Sequence, residues 1–422
     1  MSVSLFVYGA ALTALCGSSM AASWCVSPTA ASGCKATISA AVAAAGPGDT
    51  INVTPGTYKE SVTIGKPVSL VGEDSARTII DATGLGNGVY IDGIDTPGLA
   101  NVSVSGFTVQ NANFEGILAV NASRVTITAN LVQNNDRSIQ FSVDSPACPG
   151  IPDFETGENF DCGEGIHLLG SDHSSVVNNT VQNNAGGILI TDDTGAAHHN
   201  LVAGNVVTNN PLDCGITLAS HAPAAISGSK TPLGVYENQI VGNQSAQNGA
   251  QGDGAGVGIF TSSPGTAAYG NVVANNQLSG NSIPGVAIHG HTPNQNLNDN
   301  LIVGNTISGN GADTADTATP GPAGVNIASV SPVSGILVSQ NVITQQALGI
   351  VVKAPGTVRV ERNSFAGRMI GVANLGAGTV NADGNWWGCN GNPTFAISAF
   401  GGCAVTSGAV NVNYWLPNAI SK

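Results

Sequence analysis

Positively charged residues are scarce in this sequence. Its 422 residues include 12 Lys and Arg against 26 Asp and Glu, which gives a net charge of −14. The chain therefore lacks the basic surface with which proteins bind nucleic acids. An anionic substrate would be repelled on average and would need a bridging cation or a locally basic groove. Aromatic residues make up only 5% of the chain, so few side chains can serve as stacking surfaces.

Long apolar segments are also missing. Beyond the first residues, no run approaches the ~18 apolar residues that a membrane-spanning helix needs. The mostly apolar stretch 3–16 is too short to span a bilayer, and the small residues Ser19 to Ala22 follow it closely. This pattern is typical of an export signal, although no Lys or Arg precedes it. We therefore expect residues 1–22 to be a signal peptide and the mature protein to be secreted, either extracellular or periplasmic.

The eight cysteines agree with export. Cys16 would leave with the signal peptide, and six of the others fall into three close pairs. Local pairing is the simplest arrangement in an oxidising compartment. Cys214 is left over in an apolar stretch, where we expect a buried and unreactive thiol. The expected disulfides are Cys25–Cys34, Cys148–Cys162 and Cys389–Cys403.

A degenerate repeat runs through most of the chain. The unit reads V-x-x-N-x-V-x-x-N and continues, after a few residues, with G-I-x-L. Several units start 22 residues apart, as from Gly116 to Ser138 and from Gly165 to Gly187. Three short strands in 22 residues cannot bury their apolar faces alone, but coils stacked on one another can. The period thus predicts an all-β solenoid, whereas a β-sandwich would not explain it.

An asparagine recurs at one tight turn of the unit. Asparagine tolerates the left-handed conformation, and its amide can bond to the equivalent amide ~4.8 Å above and below. We therefore expect a continuous ladder along the solenoid. Its proposed members are Asn130, Asn179, Asn205, Asn276, Asn305, Asn341, Asn363 and Asn385.

With its repeats, the chain resembles the pectate-lyase-like superfamily, in the carbohydrate-binding and sugar-hydrolase form of the repeat. The entry segment Ala36–Ala45 is similar to the capping helix of such proteins, and Gly384-Asn-Trp-Trp-Gly388 resembles the start of a terminal plug. The resemblance implies a single right-handed parallel β-helix. It also implies the domain limits, which are a signal peptide at 1–22, an N-terminal cap at 23–45, the helix at 46–385 and a C-terminal cap at 386–422.

The histidines mark the candidate site, since all seven lie between residues 167 and 291. When the coils are aligned on their G-I-x-L strands, His167 and His289 point outward from the strands. Equivalent places in neighbouring coils stack roughly 5 Å apart. The alignment therefore predicts that six further side chains emerge along one edge, namely Asp172, His173, Asp192, Asp193, His221 and His291.

Carboxylates and imidazoles on neighbouring coils can coordinate a divalent cation, act as general acid and base, or form a glycosidase carboxylate pair. Scattered polar turn residues are the alternative interpretation. The expected catalytic residues are Asp192, Asp193, His221, His291 and His167. Substrate-binding roles are expected for Asp172, His173, His289, Lys230 and Arg137. Ca²⁺ is the expected cofactor, with Asp172, Asp192 and Asp193 as its ligands.

An acidic loop interrupts the repeat at residues 142–164, and the expected Cys148–Cys162 disulfide closes most of it. This loop could wall the groove, help to hold Ca²⁺, or be a solvated decoration of the surface. Its six acidic residues are Asp144, Asp153, Glu155, Glu158, Asp161 and Glu164.

The resembled superfamily contains lyases, hydrolases, epimerases and non-enzymes, so the fold alone does not choose among them. The basic residue that pectate lyases use as a base has no clear counterpart here, and the Asp-Pro-His-Glu sequence of alginate epimerases is missing. Our hypothesis is a secreted, monomeric lyase or glycosidase that cleaves or modifies a polysaccharide along coils 165–291. The alternatives are a non-catalytic glycan-binding or surface protein, or a metal-handling periplasmic protein resembling the copper-site maturation factor of nitrous oxide reductase.

Overall fold

The computed structural model describes residues 21–141, 146–155, 162–317, 319–394 and 402–420. Within these ranges, no helix is long and apolar enough to cross a membrane. The expected signal peptide lies almost wholly outside the described residues, so it stays a prediction.

The chain winds through three long parallel sheets, called sheets A, B and C here, and visits them in the order C, A, B in each coil. Sheet A contains the described strands Ser23–Val26, Thr50–Val53, Ser69–Gly72, Ser103–Ser105, Thr126–Thr128, Ser175–Val177, Leu201–Ala203, Gln239–Val241, Val272–Ala274, Leu301–Val303, Val333–Ser339, Gly356–Glu361, Thr379–Asn381 and Val410–Asn411. Sheet B contains Gly56–Tyr58, Thr78–Asp81, Thr108–Gln110, Leu131–Gln133, Thr180–Gln182, Val206–Thr208, Gln244–Ala246, Gln277–Ser279, Thr306–Ser308, Val342–Thr344 and Ser364–Ala366. Sheet C contains Val62–Ile64, Val89–Asp92, Ile117–Val120, Glu164–Leu169, Gly186–Thr191, Ile216–Ser220, Val257–Thr261, Val286–Gly290, Ala323–Ser329, Leu348–Lys353, Ile370–Asn374 and Val405–Gly408.

Short elements decorate this frame. The helix Ile38–Ala44 lies near the start, and 3₁₀ turns occur at Ala31–Gly33 and Ala225–Ser227. A small parallel sheet runs beside one turn of the coils and consists of Ala197–His198, Val235–Tyr236 and Ala268–Tyr269. A further strand pair joins Gln140–Phe141 to Pro146–Ala147 in antiparallel fashion.

Aliphatic side chains fill the space between the sheets. In sheet C, Ile166, Ile188 and Ile216 stand in one row because the strands pair in register. Their side chains are fully buried in one continuous core that runs from the first coils to Trp387. Each coil covers the apolar surface of its neighbours, which no coil could bury by itself. The predicted single parallel β-helix is confirmed.

An asparagine ladder joins successive coils at the turn from sheet A to sheet B. Nδ2 of Asn276 donates to Oδ1 of Asn305 at 3.0 Å and to the carbonyl oxygen of Ile240 at 2.8 Å, while its own Oδ1 accepts from the backbone and side-chain nitrogens of Asn243. The ladder therefore satisfies buried polar groups of the backbone as well as the amides. Its links run through Asn130, Asn179, Asn205, Asn243, Asn276, Asn305, Asn341, Asn363 and Asn385.

Two details of the sequence prediction are wrong. The ladder asparagines do not adopt the left-handed conformation, which belongs instead to the residue before each of them, such as Asn178, Asn275 and Gly304. The prediction also missed Asn243 and two further ladders. The one at the turn into sheet C contains Asn135, Asn184, Asn210, Asn248, Asn281 and Asn310, and the one before sheet A contains Asn200, Asn238, Asn271 and Asn300.

The repeat start expected at Ser138 is not a coil of sheet C. Strand Ile117–Val120 pairs directly with Glu164–Leu169, so the segment between them is a long insertion rather than a further coil. Parallel pairing also reaches into both expected caps, because Ser23–Val26 pairs with Thr50–Val53 and Val410–Asn411 pairs with Thr379–Asn381. All three expected disulfides are present, and Cys214 is a buried free thiol as predicted.

The ladder predicts a large loss of stability for Asn276→Ala. The change leaves buried donors of Asn243 and a buried carbonyl of Ile240 without partners, and each such group costs about 1–3 kcal/mol. We expect the free energy of unfolding, measured with urea, to fall by at least about 3 kcal/mol. The matched control is Gln277→Ala at the exposed neighbouring position, where the change should stay within about 0.5 kcal/mol. Equal losses in both variants would contradict the role of the ladder.

Candidate functional site

The outer face of sheet C carries the ionisable side chains. His167 and His289 belong to strands Glu164–Leu169 and Val286–Gly290, and both turn away from the core as predicted. His289 stands opposite Phe260 on the preceding strand, and the two rings are 5.2 Å apart. Both histidines are nevertheless buried, because insertions between the strands cover parts of this face.

Asp316 lies between two imidazole rings on this face. Its Oδ2 is 3.1 Å from Nδ1 of His289 and 2.6 Å from Nε2 of His291. The side chains of Asp316 and His291 are 45% and 36% exposed, whereas that of His289 is buried. The group is thus open to solvent on the side of Asp316 and His291 and closed on the side of the sheet.

The contacts of His291 determine where its protons lie. Nδ1 is 2.9 Å from the carbonyl oxygen of Thr261, which can only accept, so this nitrogen donates. Nε2 faces Asp316, and that hydrogen bond raises the pKa of His291 against the opposing effect of burial. Hydrogen bonds from His289 and His291 lower the pKa of Asp316 well below its usual range. The favoured form is therefore an imidazolium paired with a carboxylate.

Asp313 holds the segment that supplies Asp316. Its carboxylate accepts hydrogen bonds from the backbone nitrogens of Asp316 and Thr317, at 2.9 and 3.2 Å, and from the Thr317 hydroxyl at 2.7 Å. It also lies 3.5 Å from Nε2 of His289. Asn326 completes the support, since its Nδ2 contacts both Nε2 of His289 and the Thr317 hydroxyl.

His221 and Asp193 form a second imidazole–carboxylate pair on the same side of the helix. Nδ1 of His221 is 3.1 Å from Oδ2 of Asp193, and the His221 side chain is 15% exposed. Burial opposes protonation of His221, but the hydrogen bond and charge of Asp193 outweigh it and raise the pKa of the imidazole. Burial likewise opposes ionisation of Asp193, and His221 reverses that effect and lowers the pKa.

Asp192, an expected catalytic residue, is instead surrounded by donors. It accepts hydrogen bonds from the Ser220 hydroxyl and from the backbone nitrogens of His221, Leu233 and Gly234. Burial raises its pKa in spite of these bonds. The carboxylate thus fastens both ends of segment 221–234 to one turn of the coil. Its assignment as an acid or base stays a prediction, and its contacts favour a structural role.

Another ionisable group is fully buried where the disulfide-closed loop covers sheet C. Nδ1 of His167 is 3.3 Å from Oε1 of Glu115, and its Nε2 is 2.9 Å from the hydroxyl of Thr191. Glu164 offers a ligand atom within 4.8 Å of both Glu115 and His167. Burial raises the pKa of Glu155 well above its usual range, and the neighbouring Glu115 carboxyl adds to this effect.

Three surface histidines form a separate patch along the small parallel sheet. Nδ1 of His198 is 2.8 Å from Nδ1 of His199, and the rings of His173 and His199 stack with centroids 5.0 Å apart. His198 stacks on Tyr236 at 4.8 Å. Asp172 lies 2.6 Å from Nδ1 of His173. Both expected binding residues here, Asp172 and His173, therefore lie away from the Asp316 group.

The remaining predicted residues are peripheral. Arg137 and Lys230 are exposed and form no ion pair with any described residue. Of the acidic loop, Asp153 is exposed, whereas Glu155 and Glu164 are buried. The other three acids of that loop, Asp144, Glu158 and Asp161, lie outside the described residues.

Among the described residues, two groups place three potential metal ligands within 4.8 Å of one another. They are His289, His291 and Asp316, and Glu115, Glu164 and His167. The expected Ca²⁺ ligands do not converge, because Asp172 bonds to Ser123 and His173 while Asp193 bonds to His221. Calcium binding stays a prediction.

Sequence reasoning missed Glu115, Asp313 and Asp316. The last two lie in the extra residues 311–322 that separate Asn310 from the next strand of sheet C. The only sign of this insertion in the sequence was therefore the longer interval between Asn310 and the next strand of sheet C. Glu115 had no such mark, because it occupies a regular coil.

The contacts of Asp192 predict a change in protease sensitivity. Asp192→Ala removes the acceptor for four donors, and hydrogen bonds to a charged group contribute about 1.5–3 kcal/mol each. We expect trypsin to cleave after Lys230, in segment 221–234, about tenfold faster or more, as measured by mass spectrometry of the fragments. Asp299→Asn, an exposed acid on another turn, is the control and should leave this rate unchanged. Equal rates in all three proteins would contradict the anchoring role.

Part of the chain matches the model of a known protein family. Residues 87–255, less than half of the chain, match the family model described as periplasmic copper-binding protein (NosD). No curated protein matches the chain. The matched residues include Glu115, Glu164, His167 and the surface histidines but not His289, His291 or Asp316.

Solved structures resemble the whole helix. DFA-IIIase of Arthrobacter chlorophenolicus A6, without its lid and in complex with GF2, aligns with a TM-score of 0.54 at 14% identity and covers 92% of this chain and 98% of its own. The A-module of mannuronan C-5 epimerase AlgE6 of Azotobacter vinelandii aligns with a TM-score of 0.51 at 15% identity and covers 90% and 93%. The chain spans 55% of the length of ORF18 of Geobacillus virus E2, with 79% of this chain covered, a TM-score of 0.48 and 14% identity. Such identities show the fold alone, and the first two of these structures, with the three parallel sheets, establish that this chain is a right-handed parallel β-helix protein.

Proposed function

We propose that the chain is a polysaccharide-active enzyme whose proton-transfer centre is Asp316 between His289 and His291. The observation that carries this proposal is the half-exposed Asp316 carboxylate shared by two imidazoles on the outer face of sheet C. A carboxylate and an imidazolium side by side can accept and donate a proton within one catalytic step. The three residues of this centre are also held in place by hydrogen bonds. Asp313 bonds to the backbone of Asp316, the carbonyl of Thr261 to His291, and Asn326 to His289.

His291 is the proton donor in this proposal. Thr261 holds its Nδ1, so the proton on Nε2 is the one that can pass to a leaving oxygen of a bound sugar. Asp316 stabilises the imidazolium before the transfer. As the bond between the anomeric carbon and the leaving oxygen breaks, water adds to that carbon, and the proton released by the water returns through Asp316 to His291. His289 is closed off from solvent and orients Asp316 through its Nδ1. Groups whose pKa values are displaced in opposite directions suit these complementary roles.

The charge around the centre favours a neutral glycan over a polyuronate. Asp253 lies near Asp313 and Asp316. Burial is the main cause that raises the pKa of Asp253, and the negative charges of Asp313 and Asp316 raise it further. A polyanionic chain would meet this acidic surface without a counter-charge unless a cation such as Ca²⁺ accompanied it. β-Elimination needs a uronate, so hydrolysis is the reaction class that the electrostatics favour.

The His221–Asp193 pair extends the site along the helix. Its coil lies two strands of sheet C before that of His291, which is roughly 10 Å at the usual strand spacing. A glycan lying parallel to the helix axis would contact both pairs at neighbouring sugar units. Two structural neighbours, a mannuronan C-5 epimerase module and DFA-IIIase, support a sugar substrate on this fold. Three disulfides support a location outside the cytoplasm.

Asp316→Asn tests the proposed centre. Removing one member of an acid–base pair costs about 10²–10⁴-fold in rate, so we expect kcat to fall at least about 100-fold on the polysaccharide that the wild type cleaves. The assay follows reducing ends and absorbance near 235 nm on neutral and acidic polysaccharides, with EDTA or added Ca²⁺. Asp299→Asn, an exposed acid on another turn, is the matched control and should retain full activity.

The pH profile provides a second readout for the same proposal. Because the pKa of His291 is raised, the wild-type rate should fall only as the pH rises past the usual imidazole value of about 6.5. Loss of the Asp316 charge lowers that pKa, so the residual activity of Asp316→Asn should decline at lower pH. Unchanged rates in Asp316→Asn would overturn the proposal. If the wild type cleaves none of the polysaccharides, the result would instead favour a protein that binds glycans without catalysis.

Copper handling is a second candidate, favoured by the surface patch His173, His198 and His199. These three rings lie within 5.5 Å of one another, and the patch belongs to the residues that match the NosD model. Imidazole nitrogen is a good ligand for copper, and an exposed patch could take up and release the ion.

Calorimetric titration with Cu²⁺ distinguishes this candidate from the first. If the patch handles copper, the wild type binds one ion and His198→Ala combined with His199→Ala weakens binding at least about tenfold, while polysaccharide cleavage is unaffected. His221→Ala, a histidine outside the patch and outside both groups of three potential metal ligands, is the control and should bind copper like the wild type. Equal copper affinity of the wild type and the double variant would exclude the patch.

A further inference from the structure

A cluster of carboxyl groups is buried between the disulfide-closed loop and the outer face of sheet C. Glu115 and Glu164 come from neighbouring coils of the sheet, and His167 stands beside them on the second coil. One ligand atom of each lies within 4.8 Å of the other two. None of the three side chains takes part in the proposed proton transfer at Asp316.

The loop adds a fourth member to this cluster. The Cys148–Cys162 disulfide closes the loop, and Phe154 packs on Leu118, Val120 and Leu169 of the sheet. The next residue, Glu155, is thereby pressed against Glu115 and is only 4% exposed.

Two carboxyl groups of this cluster, those of Glu115 and Glu155, have buried oxygens that no nitrogen or hydroxyl donor of the described residues reaches. Among the described residues, neither oxygen of Glu155 receives a hydrogen bond, and the same holds for Oε2 of Glu115. The whole segment 138–166 contains no Lys, Arg or His, so the loop brings no positive charge. His167 can supply at most one positive charge against three carboxylates, and unpaired buried charges cost several kcal/mol each.

The backbone leaves room for the carboxylates at two glycines. A Cβ at Gly163 would lie 3.0 Å from Cδ of Glu115, and a Cβ at Gly186 would lie 3.0 Å from Cγ and Oε1 of Glu164. Any larger residue at these positions would therefore press on the cluster. Because these two glycines have no side chains, there is room for the carboxyl groups of Glu115 and Glu164.

We propose that Glu115, Glu155, Glu164 and His167 bind one divalent cation that fastens the disulfide-closed loop to sheet C. A dication supplies the missing positive charge and takes up the lone pairs that no donor reaches. Three carboxylates suit Mn²⁺, Ca²⁺ or Mg²⁺, whereas the imidazole nitrogen suits a transition ion. The mixed set therefore favours Mn²⁺ over Ca²⁺. It differs from the imidazole-only surface patch and does not depend on the proposed polysaccharide activity.

The experiment titrates Mn²⁺ into the EDTA-treated, dialysed full-length mature protein. Electron paramagnetic resonance reports free Mn²⁺, and Zn²⁺ and Ca²⁺ are compared by competition. We expect one Mn²⁺ per chain in the wild type and at least about tenfold weaker binding in Glu155→Gln, because even groups behind the ligands alter affinity about 10–100-fold. Mn²⁺ should also slow hydrogen exchange of the backbone amides of residues 146–155.

Asp153→Asn is the matched control, since it removes an exposed acid of the same loop. It should bind Mn²⁺ like the wild type. Absence of binding in the wild type would overturn the proposal, as would equal binding in Glu155→Gln or unchanged exchange of the loop. If Glu155→Gln is more stable than the wild type without any metal and the wild type binds none, the cluster is a proton-sharing carboxyl pair instead. Polysaccharide activity is not used as a readout, so failure here leaves the Asp316 proposal untouched.

Discussion

The structure depends on satisfying the buried backbone polar groups at the turns of each coil. Strands pair with strands above and below, but a turn offers carbonyl and amide groups that no ladder of strands reaches. The asparagine side chain satisfies these groups. Its amide nitrogen donates at once to a backbone carbonyl and to the side-chain oxygen of the asparagine in the next coil. Because the solution repeats, coils can be added without a change of sequence at the turn.

That regularity also decides where variation can occur. The short turn between sheets A and B carries the ladder through to Asn385 and contains no long insertion in the described coils. Insertions lie instead at both ends of the sheet C strands, as in segments 221–234 and 311–322. These two segments therefore flank the strands of sheet C. A repetitive scaffold thus gathers its irregular, ionisable residues on one side.

Burial gives these similar residue types different roles. Asp192 is surrounded by donors and holds a loop, whereas Asp316 is shared by two imidazoles and open to solvent. Glu155 has the same functional group but no donor, because a hydrophobic contact through Phe154 forces it against Glu115. The charge balance around each carboxyl, rather than its identity, separates structural, proton-transfer and cation-binding candidates.

The sequence by itself determined the solenoid, the three disulfides and most of the asparagine ladder, because these arise from local period and from residues close in the chain. It also directed attention to His289, on a strand of sheet C, and to His291, just after the end of that strand. It did not reveal Asp313 and Asp316 as the partners of these two histidines, nor Glu115 as the partner of His167. Contacts across coils depend on the register of pairing and on the path of each insertion, and neither follows a period. Only the tertiary structure could therefore decide that Asp192 is bonded to a loop, that Asp172 lies elsewhere, and that Glu155 is buried against the sheet.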